Sequence, residues 1–106
     1  MTMKNINVVD FKELMQSKQK YTLLDVRSHG EFEIANIGGT LIPLDTLEDQ
    51  IDIIAKDEPI YCLCHHGVRS AYAANFLIHS GFTNVYNIEG GIDAWSIQVD
   101  SNIPRY

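Results

Sequence analysis

Short runs of β-branched and apolar residues alternate along this chain with stretches of helical spacing, and that alternation narrows the fold more than any other feature. Parallel strands need a crossover connection, usually a helix, so the order suits a parallel sheet with helices on its faces. Residues 6–8 predict a first strand and residues 22–26 a buried one. Residues 40–43 predict a brief strand and residues 84–87 the last. Ile60-Tyr61-Cys62-Leu63 is apolar throughout and is expected near the centre of the sheet. Between them, Phe11, Leu14 and Met15 share a helical face behind a capping box from Asp10 to Glu13. Residues 28–32 predict a short helix. Leu47, Ile51 and Ile54 predict another over residues 44–55. Residues 68–79 predict a helix with Val68, Ala71, Tyr72, Phe76 and Leu77 as its apolar residues, stopped at Ser80-Gly81. Gly90-Gly91 turns into a final helix over residues 92–97, and Pro104 favours an extended tail over residues 99–106. The chain is read as one α/β domain over residues 1–106.

The formal net charge of -6 and the scatter of the eight Lys and Arg residues exclude a generic nucleic-acid surface, which needs clustered cations. No apolar stretch is long enough to span a membrane, and residues 1–10 lack a basic region followed by an apolar run, so the expected location is cytoplasmic. Cys62 and Cys64 are separated by one residue, and a disulfide between them would be badly strained.

Chemistry concentrates in Cys64-His65-His66-Gly67-Val68-Arg69-Ser70, between the expected strand at 60–63 and the helix that follows. Open parallel sheets carry their ligand sites at this edge. The first-turn N–H groups of a helix favour an anion, and a thiolate is one. A helix N-terminus and a nearby cation lower a thiol pKa, and Arg69 supplies the cation; His65 and His66 add charge when protonated. Gly67 permits a tight turn. Cys64 is therefore the candidate nucleophile. Cys62, inside an apolar strand, reads as a small hydrophobe, with a resolving role for an oxidised Cys64 as the alternative. Cys62, Cys64, His65 and His66 are all possible metal ligands, but they crowd into five residues. Structural zinc normally uses two separated pairs, so no metal and no other cofactor is expected.

Three stretches together resemble the rhodanese family: residues 24–32 (Leu-Asp-Val-Arg-Ser-His-Gly-Glu-Phe), the Cys64 loop, and residues 90–95 (Gly-Gly-Ile-Asp-Ala-Trp). The likeness runs from about Asn7 to Tyr106. It departs at Asn36-Ile37, where a His-Ile pair is common, and around Gly38-Gly39-Thr40. The ending at residues 99–106 is similar to rhodanese domains that close sulfur-carrier activating enzymes. The resemblance implies a three-layer sandwich with a central parallel five-stranded sheet and helices on both faces. It implies sulfur transfer through a Cys64 persulfide, from thiosulfate or a persulfide donor to a thiol, cyanide or protein acceptor. Residues 65–70 would bind the substrate, with Arg69 helping to bind an anionic donor and to hold the loop. Asp25 and Arg27 would support, Arg27 pairing with Asp25 or with Glu31. Trp95 is expected in the core.

Two rivals remain at this point. Cysteine phosphatases and arsenate reductases also surround an oxyanion with a cysteine, backbone amides and an arginine. The tyrosine-phosphatase loop is longer than the four residues between Cys64 and Arg69. A module that docks partners without catalysis is the other.

Overall fold

Apolar runs become strands here in the order and direction that helical crossovers demand. The computed structural model describes residues 2–106. Its strands are β1 (Lys4–Ile6), β2 (Thr22–Asp25), β3 (Thr40–Leu41), β4 (Ile60–Leu63) and β5 (Val85–Ile88). They form one sheet in the order β1-β5-β4-β2-β3, and every pairing is parallel. The helices are α1 (Val8–Gln16), α2 (His29–Ile34), α3 (Leu47–Gln50), α4 (Val68–His79) and α5 (Gly91–Gln98). β4 is the middle strand and all four of its residues are buried, as its unbroken apolar sequence requires.

Because side chains alternate across a strand, the sheet feeds two cores. Leu24 and Cys62, cross-strand neighbours, pack with Ala73, Ala74 and Leu77 of α4. Leu23, Tyr61 and Leu63 pack on the other face with Phe11 of α1 and Ile92 and Trp95 of α5. Phe11 lies edge-on to Tyr21 and Trp95, and Tyr61 stacks on Tyr86 at 4.7 Å. The result is the expected three-layer sandwich, and Trp95 is in its core.

Local details differ from expectation. The first strand ends at Ile6, and Val8 already begins α1. Asn7 is its cap: Asn7 Oδ1 accepts from the Asp10 amide at 2.8 Å, which places Asp10 inside the first turn instead of ahead of it. The expected helix over residues 44–55 is broken into a 3₁₀ turn at Leu44–Thr46, the single turn α3, and a second 3₁₀ turn at Ile51–Ile53. Gln50 (φ -111°, ψ 10°) leaves the helical well, and Thr46 (φ -107°, ψ -3°) lies at its margin, so one regular spiral does not run through them. Helix α4 buries Ser70, Ala73, Ala74 and Leu77, while Val68 and Tyr72 of its apolar residues stay exposed. The tail is not extended throughout: the Ile103 amide donates to the Asp100 carbonyl, and the chain folds back on the domain.

Candidate functional site

β4 delivers Cys64 to the carboxyl edge of the sheet, between the edges of β2 and β5. Residues 64–67 turn the chain into α4. Gly67 makes this possible at φ 102°, a left-handed conformation that a side chain disfavours. Gly67 offers no side-chain cap, so the first-turn amides of α4 stay open toward the loop.

The sulfur sits in a closed ring of polar contacts. Gly67 N–H points at Cys64 Sγ at 3.1 Å, and Ser70 Oγ lies 3.2 Å from the same atom. The Ser70 hydroxyl donates to Asn87 Oδ1 at 2.6 Å, and Asn87 Nδ2 donates to the Gly67 carbonyl at 3.2 Å. Ser70 has one hydroxyl proton, so while it bonds Asn87 a protonated Cys64 must be the donor toward Ser70 Oγ. Cys64 is 1% exposed.

A second helix end pins the loop from the far side. Ile92 N–H donates to the Cys64 carbonyl at 2.9 Å and Asp93 N–H to the His65 carbonyl at 3.1 Å. Gly91 allows that approach: a Cβ there would collide with both carbonyl oxygens.

Charge is arranged around the loop in matched pairs. Arg27, fully buried, forks onto Asp25 through Nε (2.9 Å to Oδ1) and Nη2 (2.7 Å to Oδ2), and its Nη2 also reaches the Ala35 carbonyl at 2.7 Å. Of the two partners expected for Arg27, the Asp25 carboxylate is taken. Glu31 instead receives both Arg69 nitrogens, at 2.7 and 2.8 Å. That pairing holds the Glu31 carboxyl well below its ordinary value. Arg69, expected to help bind an anionic donor and to hold the loop, ties α4 to α2 through its guanidinium. Glu31 also accepts from Ser28, its capping-box partner at the start of α2, and from the Tyr106 hydroxyl at 2.8 Å.

His65 and His66 stack on each other at 3.8 Å, and Tyr106 stacks on His65 at 4.0 Å. His65 Nε2 is buried without a hydrogen-bond partner, and burial, with His66 adding to it, pushes the His65 pKa down. Arg105 binds Asp93 at 2.8 Å. His65, His66 and Asp93 have potential ligand atoms within 4.8 Å of one another. Asp93 is already paired with Arg105, and His66 Nε2 lies 3.7 Å from its other oxygen. Cys62 is fully buried on the core side, and burial pushes its thiol up to about 12, which suits an inert packing residue.

Of the residues singled out in the sequence, Cys64, Gly67 and Ser70 converge on the sulfur. His65 walls the loop, His66 and Val68 are exposed, and Arg69, Asp25 and Arg27 form the surrounding framework. Asn87, Glu31's link to Arg69, and Tyr106 were not anticipated. Asn87 carried a signal: it is a polar residue in an otherwise apolar parallel strand, where burial demands a partner.

The model of the rhodanese-like domain matches residues 7–98. The chain belongs to the rhodanese-like domain family. A rhodanese-like domain protein of Staphylococcus aureus has the same fold, with a TM-score of 0.84 at 30% identity over 98% of this chain and 99% of that one. The adenylyltransferase and sulfurtransferase UBA4 of Candida albicans is 38% identical over 106 residues, which are 92% of this chain and 24% of UBA4. The chloroplastic rhodanese-like/PpiC domain-containing protein 12 of Arabidopsis thaliana is 40% identical over 97% of this chain and 37% of its own length. This rhodanese-like domain thus spans about a quarter to two fifths of those curated relatives. No helix among its described residues is long and apolar enough to cross a membrane.

Proposed function

We propose that this rhodanese-like domain is a sulfurtransferase of the cytoplasm, and that Cys64 carries the transferred sulfur as a persulfide. The ring of Gly67 N–H, Ser70 and Asn87 around Cys64 Sγ is the observation that carries this reading. The thiolate attacks the outer sulfur of thiosulfate. An S–S bond forms, the S–S bond of thiosulfate breaks, and sulfite leaves with its electron pair. Two negative charges leave on sulfite and one stays on the persulfide, so the charge balances. Gly67 N–H and the open first-turn amides of α4 stabilise that persulfide anion, an oxyanion-hole logic applied to sulfur. A persulfide donor serves equally. A thiol, cyanide or protein thiophile then removes the sulfur and restores Cys64. No cofactor or metal takes part in this scheme.

The framework pairs hold the loop at that geometry. Asp25–Arg27 fixes the β2 edge, and Glu31–Arg69 fixes α4 against α2. The second pair also weighs against the phosphatase reading, which needs the arginine directed into the loop.

Intact mass after incubation with thiosulfate tests the proposal. The expected result is a gain of one sulfur atom, lost on adding cyanide and absent in Cys64→Ser. Folded, reduced protein that takes up no sulfur from thiosulfate or from a protein persulfide would leave a docking module instead.

A further inference from the structure

Helix α4 has a second apolar face that the fold covers only at its Phe76 end. Ala73, Ala74 and Leu77 enter the core. Val68, Tyr72 and Phe76 follow one another at four-residue spacing, Val68 78% and Tyr72 69% exposed and Phe76 partly buried against the core. Opposite them runs the broken segment that holds α3. Along the seam lie three depressions in series. The first, at Arg69, shares Leu44 and Asp45 with the second, and the second shares Glu48 and Phe76 with the third. They form one groove that begins beside the Cys64 loop.

The groove combines apolar side chains, Leu44, Leu47, Ile51 and Phe76, with acidic ones. Asp45, Glu48 and Asp52 line it, and their carboxylates make no ion pair or side-chain hydrogen bond among the described residues. Its far end carries Lys56, which lies over the Phe82 ring. From Arg69 to Ser80 the helix rises about 16 Å at ~1.5 Å per residue. About five residues of extended chain, at ~3.3 Å each, match that length. Small anions such as thiosulfate gain nothing from these carboxylates. A cationic chain with apolar side chains gains from both the apolar and the acidic side chains.

We propose that the groove docks an extended segment of a protein acceptor in which apolar residues alternate with lysines or arginines, presenting the acceptor thiol to Cys64. The proposal rests on the sulfur-transfer reading above. In the step it serves, the acceptor sulfur bonds to the outer persulfide sulfur. The bond from that sulfur to Cys64 Sγ breaks, and Cys64 leaves as the thiolate. The acceptor's proton ends on the new persulfide, and no net oxidation occurs.

The probe is a fluorescein-labelled peptide Ser-Lys-Leu-Lys-Leu-Lys, beside one with Glu for every Lys, followed by anisotropy. At low salt the Lys peptide is expected to bind about tenfold tighter than the Glu peptide. The triple variant Asp45→Asn/Glu48→Gln/Asp52→Asn should remove that preference and flatten its salt dependence. Tyr72→Ala should weaken the Lys peptide several-fold with its salt slope intact. A second peptide with Cys for Ser then reads sulfur transfer by mass, and both variants should release sulfur to cyanide at the parent rate. Equal binding of the two peptides, or a preference that survives the triple variant, would overturn the groove. Binding as expected on a protein that never loads sulfur would overturn the delivery role and the sulfur reading together. Sulfur loading without peptide discrimination would overturn the groove alone.

Discussion

Glu31 joins three parts of the chain that lie far apart in sequence: Ser28 at the start of α2, Arg69 at the start of α4, and Tyr106. Its carboxyl is held below the ordinary value of 4.5, chiefly by Arg69. A carboxyl depressed in the folded state stabilises above its unfolded pKa, and that contribution drains away as pH falls below about 4.5. Arg69 is partly exposed, so screening keeps the contribution small. Glu31→Gln is expected to lose about 1 kcal/mol at neutral pH. In urea titrations run at successively lower pH, the gap from the parent protein should shrink steadily. A pH-independent gap would contradict the ion pair. Asn87→Ala opens the ring around the sulfur and leaves the Ser70 hydroxyl and the Gly67 carbonyl short of a partner. It is expected to cost about 1–3 kcal/mol by chemical denaturation, and to slow sulfur loading. Arg27→Met strands Asp25 as a buried, unpaired carboxylate, for a loss of about 3–5 kcal/mol. Adding Asp25→Asn should recover part of that loss. The Asp25–Arg27 pairing was one of the two the sequence offered, because the partners are two residues apart on one strand end. The Glu31–Arg69 pairing was not, because it spans 38 residues and depends on where two helices start.

Elements meet at the site through glycines with opposite roles. Gly91 lets α5 approach the Cys64 and His65 carbonyls, and a methyl group has no room there. Gly91→Ala is expected to lower the midpoint of thermal unfolding, since φ 62° and the collision act together. Gly30 sits inside α2 with open space around it and no positive φ. Gly30→Ala should stabilise by about 0.5–1 kcal/mol, because alanine loses less backbone entropy in a helix. Differential scanning calorimetry on the two variants checks both signs. β4 and α4 were readable because an apolar run, a glycine turn and a long helical period coincide in residues 60–79. The segment over residues 44–55 was not. Its apolar period is helical, but the backbone leaves the helical well at Gln50, between Leu47 and Ile54, which are both buried.

Across the whole molecule, the strand order brings the carboxyl ends of β2, β4 and β5 to one edge, and the tail closes over it. Tyr106 stacks on His65 while its hydroxyl accepts from Arg27 Nη1 at 3.0 Å and donates to Glu31. Tyr106→Phe keeps the stack and removes both bonds, for an expected loss of about 1–2 kcal/mol. Tyr106→Ala should lose more, since the ring over His65 goes as well; urea denaturation of the pair separates the two contributions. Equal losses would mean the stack adds nothing.

What the amino-acid order alone determined is the layering and the place of the chemistry. Short β-branched runs and helical spacing, the buried run at residues 60–63 and the Cys64 loop are local properties. They survive translation into structure because each is set by a few neighbouring residues. Only the tertiary structure decided that Arg69 faces Glu31, that Asn87 closes the ring at the sulfur, and that the tail returns to the loop. It also decided that a helix with apolar residues on two sides buries only one of them in full. Side-chain partners separated by tens of residues depend on how strands are ordered and how helices enter the sheet edge. That ordering is a property of the packed whole, because each buried polar group takes the partner that packing brings within reach.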